Sequence, residues 1–232
     1  MGPVSATELF DPPSDDPVPV DRLMVASAYW DGRDDAPTKD AEGVLSLLTR
    51  LAAINPSMSE WKMVVGKKGE TAPLAGDAAG LAEQMAERTR AAEIAPGVSA
   101  MLVSKCAFML IRLGVPTGAK TNFVVLRPGS PDVREFWLAR SSSLLSALVD
   151  TFAPDTAVVG SSRHSEAQPR RATLKQDWIG AITYAKELPE SNGIPMSKLG
   201  NGKVIDLTDG GRRLPTTNEA LKAYESLYGG NG

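Results

Sequence analysis

Apolar and polar positions along this chain fall into blocks whose period changes several times. Leu23–Trp30 is a short apolar run that ends in two aromatics and reads as a β-strand. A polar turn follows, Asp31-Gly32-Arg33-Asp34-Asp35. Ala41, Val44, Leu45, Leu48, Leu51 and Ala52 then recur at spacings of three and four. That stripe predicts an amphipathic helix from Thr38, as its N-cap, to Ile54, ended by Asn55-Pro56. Trp61–Val65 is a short strand or a packed turn. Asp77–Arg90 predicts a second helix, with Ala78, Leu81, Ala82 and Met85 inward.

Val98–Ser104, Cys106–Leu113 and Thr121–Arg127 predict three strands, the last two joined by a turn through Pro116 and Gly118. Period alone does not type the first two, and a single apolar helix is the alternative. Their β-branched and aromatic content favours strands. Ser130-Pro131 predicts the start of a third helix, which buries Val133, Phe136, Trp137, Leu144, Leu145, Leu148 and Phe152 and stops at Ala153-Pro154. Thr156–Gly160 is a strand, Ser161–Arg171 a polar loop, and Trp178–Tyr184 and Lys203–Leu207 are two more strands. Thr216 and Glu219 have the spacing of a capping box, which opens a last helix that Gly229-Gly230 closes. Strands and helices do not alternate regularly. The order predicts an α+β fold with a mainly antiparallel sheet, packed helices and two halves of loosely similar element order. Residues 1–20 hold five prolines among acids and predict a disordered leader, with a single domain over 21–232.

Composition changes this picture little: 42% hydrophobic and 23% charged residues suit an ordinary globular domain. No apolar run approaches the roughly 20 residues that span a bilayer. The N-terminus carries Glu8 and Asp11 where a signal peptide needs positive charge and then an apolar core. A single cysteine, Cys106, excludes an intramolecular disulfide framework. A cytoplasmic protein with no membrane partner is expected. Charge is uneven. Residues 1–40 hold nine acids and three bases, a net −6, and the rest holds 19 acids and 22 bases, a net +3. Acids at the front argue against direct nucleic-acid binding and suit a basic partner, or serve only solubility.

Candidate chemistry is sparse. His164 is the sole histidine and sits among serines, as an exposed loop residue whose neighbours give no fixed nucleophile–base geometry. Cys106 lies between apolar residues and reads as buried. Gly200-Asn201-Gly202-Lys203 lacks phosphate-loop spacing and reads as a hairpin turn, and Asp209-Gly210-Gly211 reads as another turn. Asp31, Asp34 and Asp35 do not have calcium-loop spacing. Trp30, Trp61, Trp137 and Trp178 are core aromatics or the rim of a partner surface. No catalytic constellation, metal centre or cofactor is expected, which favours a binding protein over an enzyme.

The block Ala28-Tyr29-Trp30-Asp31-Gly32-Arg33, the helix end Leu51-Ala52-Ala53-Ile54 and Trp61 resemble the start of immunity protein family fifty-two. Thr121-Asn122-Phe123-Val124-Val125-Leu126-Arg127-Pro128 is similar to that family's central strand. Pro154-Asp155 with Val158-Val159 resembles its segment after the long helix. Asp177–Tyr184 resembles its Trp-to-Tyr strand, two residues longer here. The resemblance spans residues 23–228. It implies a bacterial immunity protein that neutralises a cognate toxin, typically a nuclease of restriction-endonuclease fold delivered by type VI secretion. It carries over no catalytic residue. Such an inhibitor blocks a cationic cleft with carboxylates or bars substrate sterically. The expected contact is Asp31, Arg33, Asp34 and Asp35, with Trp30 behind them. The competing classes are an effector-loading chaperone and a small hydrolase.

Overall fold

The computed structural model of the protein describes residues 24–33, 35–65, 69–91, 97–115, 121–129, 134–169, 178–190 and 193–228. In chain order the elements are β1 (Met24–Asp31), α1 (Pro37–Ile54), β2 (Lys62–Val64), β3 (Thr71–Pro73), α2 (Ala78–Ala91), β4 (Val98–Val103), β5 (Ala107–Leu113) and β6 (Thr121–Pro128). There follow α3 (Arg134–Ala139), α4 (Ser141–Phe152), β7 (Thr156–Ser161), α5 (Ser162–Glu166), β8 (Ile182–Ala185), β9 (Met196–Leu199), β10 (Gly202–Asp206) and α6 (Thr217–Tyr228). The strands form one sheet, in the order β3-β2-β4-β5-β6-β1-β7-β8-β10-β9. Every paired neighbour is antiparallel, so the fold is α+β as the sequence predicts. β1 stands inside the sheet, with five strands on one side and four on the other.

Strand alternation assigns the two faces. Met24, Ala26, Ala28 and Trp30 of β1 share one face with Met109 and Ile111 of β5, Val124 and Leu126 of β6, and Ile182 and Tyr184 of β8. α1, α2 and α4 cover that face through Val44, Leu47, Leu51, Leu81, Met85, Leu144 and Leu148. Each such leucine removed from water contributes about 1.5–3 kcal/mol. On the opposite face, α6 packs Ala223, Tyr224 and Leu227 against Ile205 and Ala185. Val25, Val158 and Trp178 form a small cluster beside it.

Several local expectations need correction. α1 starts two residues earlier than expected: Ala36 and not Thr38 is the N-cap, without a side-chain bond, and Pro37 takes the first helical position. Proline fits there because its missing N–H would have no partner anyway. Leu47, absent from the predicted stripe, is fully buried, and Leu45 and Leu48 flank it. The third helix is two helices, broken at Arg140 (φ −112°, ψ 12°), where the Ser141 hydroxyl donates to Leu138 O at 2.8 Å. Its predicted start at Ser130-Pro131 lies outside the described residues, as do the leader and Gly229-Gly230. The strand expected over Trp178–Tyr184 is regular only from Ile182. The three-residue β3 and four-residue β9 were not expected at all. The predicted capping box is present: Glu219 N–H donates to Thr216 Oγ1 at 3.1 Å, and Thr216 N–H to Glu219 Oε2 at 2.7 Å. Both predicted turns also form. Gly200 (φ 55°) joins β9 to β10, and Asp209, Gly210 and Gly211 all have positive φ.

Candidate functional site

The turn after β1 is pinned to the far end of α4. Trp30 stacks on Phe152, with ring centroids 5.0 Å apart and planes 17° apart. The Arg33 guanidinium lies over Trp30, 5.8 Å from its centroid. It donates to Phe152 O at 3.0 Å and Ala153 O at 2.7 Å. Those carbonyls close α4, where Ala153 turns left-handed (φ 43°), so a cation there meets the negative end of the helix. Asn122 ties the turn from the other side. Its amide donates to Asp31 O at 3.1 Å and its carbonyl accepts from Val115 N–H at 3.1 Å.

This pinning sorts the residues singled out from the sequence. Trp30 is 4% exposed and supports the corner from behind. Arg33 is half-buried and spends its fork on the fold. Asp31 is exposed, and its N–H donates to Asp155 Oδ2 at 3.0 Å. Asp35 pairs with Lys39 at 2.6 Å. Asp34 lies outside the described residues. Asp40, one turn into α1, belongs to the same acidic corner. Burial, with Asp35 nearby, pushes its carboxyl up to about 6. Asp155 is held by Lys186 at 2.9 Å. Among the described residues, no three His, Cys, Asp or Glu side chains gather as metal ligands.

A second feature lies on the sheet face away from α1 and α4. Val25, Ser27 and Tyr29 of β1, Phe123, Val125 and Arg127 of β6, Phe108 and Leu110 of β5, and Met101 of β4 line a groove of about 520 Å³. Trp178 and the hydroxyl-bearing Ser162 and Ser165 of α5 wall one side. Register sets its floor. Tyr29 pairs with Phe123, Ser27 with Val125, Val125 with Leu110, and Leu110 with Met101. The Tyr29 and Phe123 rings are 6.4 Å apart and inclined at 46°. Met101 and Leu110 are 41% and 38% exposed, large for apolar side chains. Arg127 is exposed and carries the only formal charge among the described lining residues. Asp31 continues the β1 alternation of Val25, Ser27 and Tyr29, which places it at the end of this groove.

The remaining nucleophile and base candidates are sealed. His164 is not an exposed loop residue. Ser161 accepts from Arg163 N–H at 3.3 Å and starts α5, which turns the imidazole fully inside. Its Nε2 donates to Pro215 O at 3.0 Å, and burial pushes it down to about 4, so it is neutral near pH 7. Cys106 is buried, which raises its thiol. All four tryptophans are core residues.

Sequence reasoning found the corner and missed the groove. The signal was present in Ala107-Phe108-Met109-Leu110-Ile111, which is apolar on both faces of one strand. A strand of that kind needs cover on two sides, and helices supply it on one.

No family profile matches the chain, that of immunity protein family fifty-two included, and no curated protein does. Among solved structures, a Pseudomonas aeruginosa T6SS protein superposes with a TM-score of 0.47 at 13% identity. That match covers 86% of this chain and 75% of the other.

Proposed function

We propose that this protein is an immunity protein: a stoichiometric inhibitor that binds a cognate antibacterial toxin, a nuclease effector of type VI secretion, in the cytoplasm of the producing cell. The observation that carries the reading is the fate of the turn whose residues bear the family resemblance. Trp30 and Arg33 fix it to α4, and the exposed Asp31 and the half-buried Asp35 and Asp40 form an acidic corner beside it. A preorganised acidic corner suits a nuclease, whose substrate cleft must be cationic. Carboxylates carried on a backbone held in place lose less entropy when they meet that cleft, and unlike charges speed the encounter. Asp31 and Asp35, with Asp34 between them, are the proposed contacts. The reading is of a binder and not a catalyst. The sealed, neutral His164 and the buried Cys106 suit that assignment.

The test is a DNA-cleavage assay with the toxin domain encoded beside this gene, titrated with the purified protein. Cleavage should end near one equivalent. Loss of cleavage at a small fraction of an equivalent would indicate an enzyme. Tight binding with cleavage intact would indicate a loading chaperone. Full cleavage in excess protein, without binding, would end the proposal for that pair. Charge reversal at Asp31 and Asp35 should weaken binding and reduce its dependence on salt.

A further inference from the structure

We propose that the groove across β4, β5, β6 and β1 binds a small amphiphilic anion, a free medium-chain carboxylic acid. Its carboxylate meets Arg127, and its alkyl chain lies along Val125, Leu110 and Phe123. This site is independent of the immunity reading. A space of about 520 Å³ falls in the size range of ligand sites. Its walls have their make-up too, aliphatic and aromatic side chains with a few polar groups among them. Met101 and Leu110, side by side in register, are 41% and 38% exposed, so apolar surface here stands in water that an alkyl chain would displace. The Tyr29 and Phe123 rings, 6.4 Å apart, have few rotatable bonds and lose little freedom when covered.

The polar groups of the lining select the head. Arg127 is exposed at one end, in register with Phe108. Burial raises the Tyr29 phenol and keeps it protonated, and Ser27 and Arg127 both lie near enough to act on it. The Ser27 and Ser162 hydroxyls are buried and have no hydrogen-bond partner among the described residues. A buried hydroxyl left unpaired is costly, and a carboxylate oxygen reaching the floor would pair it. Among the described lining residues there is no Asp or Glu. The other charges on this face leave that choice unchanged. Arg112 stands in register with Phe123, but it is outside the lining, already engaged, and of the same sign as Arg127. Asp31, at the end of β1, is also outside the lining and engaged. A guanidinium takes a carboxylate in a two-bond fork, which sets this head apart from a neutral one. From Arg127 past Val125 to Phe123, four residues along β6 give about 13 Å of floor at roughly 3.3 Å per residue. A dodecanoate chain laid out straight matches that length.

The experiment is calorimetric titration of the full chain with dodecanoate, below the concentration at which it forms micelles. Wild type should bind one equivalent with a Kd on the order of 100 µM, which suits a small ligand in an open groove. Decanoate, two methylenes shorter, should bind roughly 5-fold more weakly. Dodecylammonium, with the same chain and the opposite charge, should bind at least about 10-fold more weakly. Arg127→Gln should weaken dodecanoate by about 10-fold without weakening dodecylammonium, and Arg127→Lys should recover part of the loss. Leu110→Gln should weaken both ligands by about 5-fold. Val65→Gln, at a position 44% exposed and outside the lining, should change nothing. Leu110 and Arg127 are both exposed, and unchanged melting midpoints keep a binding loss separate from misfolding. The ligand series on wild type stands without any variant. Absence of saturable binding to wild type up to about 1 mM would overturn the proposal. Equal affinity for dodecylammonium would overturn the head-group assignment, and unchanged affinity in both Leu110→Gln and Arg127→Gln would place the binding outside the groove. Light scattering that shows a wild-type dimer and a Leu110→Gln monomer would assign the groove to a second copy and overturn the ligand.

Discussion

Replacing Arg33 by methionine separates a residue that builds the corner from one that touches a partner. The guanidinium makes two bonds, at 3.0 Å to Phe152 O and 2.7 Å to Ala153 O. A charged donor to a carbonyl is worth about 1.5–3 kcal/mol when well buried. Both bonds reach water in part, so the lower end applies to the pair together. A cation at a helix C-terminus adds about 0.3–1 kcal/mol. Methionine keeps an apolar contact with Trp30, so that packing is largely retained. The expected loss is about 2 kcal/mol, or roughly 4–8 °C in melting temperature for a chain of this size. Thermal melting by circular dichroism measures it, and urea unfolding should show a lower midpoint with an unchanged slope. Arg33→Lys should recover less than half, because an ammonium lacks the fork that reaches two carbonyls. A methionine variant that melts within 1 °C of wild type would refute the pinning argument. If that variant also lost toxin affinity, Arg33 would be a contact.

Three further outcomes follow from the same geometry. Asp40 ionises near pH 6 in the folded chain and near 3.8 unfolded, so its cost grows as pH rises between those values. Asp40→Asn should stabilise by about 1 kcal/mol at pH 7.5, after allowance for its partial exposure, and the gain should fade toward pH 4; a gain equal at both pH values would contradict this. His164 behaves oppositely: the unfolded chain takes up a proton near pH 6.5 and the folded one only near 4. Stability should be level above about pH 6.5 and fall by about 3 kcal/mol on acidification to pH 4. Compared in an Asp40→Asn background, His164→Gln should lose that slope, and retention of it would show that other groups carry the acid response. Gly180→Ala would place a Cβ against the Val158 side chain and 2.9 Å from Val159 O, so it should lower the urea midpoint by the equivalent of about 1–3 kcal/mol.

How far the sequence led depended on what each residue had to satisfy. β4, β5 and β6 were readable because their alternation runs six to eight residues and turns separate them. β3 and β9 were not, because edge strands of three or four half-exposed residues carry almost no period. The break at Arg140 was hidden: Trp137 and Leu144, both buried, keep a seven-residue helical spacing across it, and the Ser141 side-chain bond and the Arg140 dihedrals that mark it are not legible in sequence. His164 was misplaced because its serine and arginine neighbours look like a loop, whereas α5 leaves Arg163 and Ser165 half-buried and turns the imidazole fully inside. The corner was found because turn chemistry is local. The groove was missed because sequence alternation tells which residues share a face but not whether anything lies over it.

The place of β1 has a consequence in time. It comes first among the described strands, yet Ala26 pairs with Leu126 on one side and Val159 on the other. During synthesis, β1 waits for roughly 90 residues to be added before β6 begins, on the order of 5–20 s at usual translation speeds. Throughout that interval both edges of β1 lack their strand partners, and the corner at Asp31 has no α4 to anchor it. A chain halted after α2 would hold the acidic turn without its support, and one halted after β6 would still lack Phe152 and Ala153. On the proposed immunity reading, protection dates from completion of the second half of the chain, and early nonsense mutations should leave no partial activity.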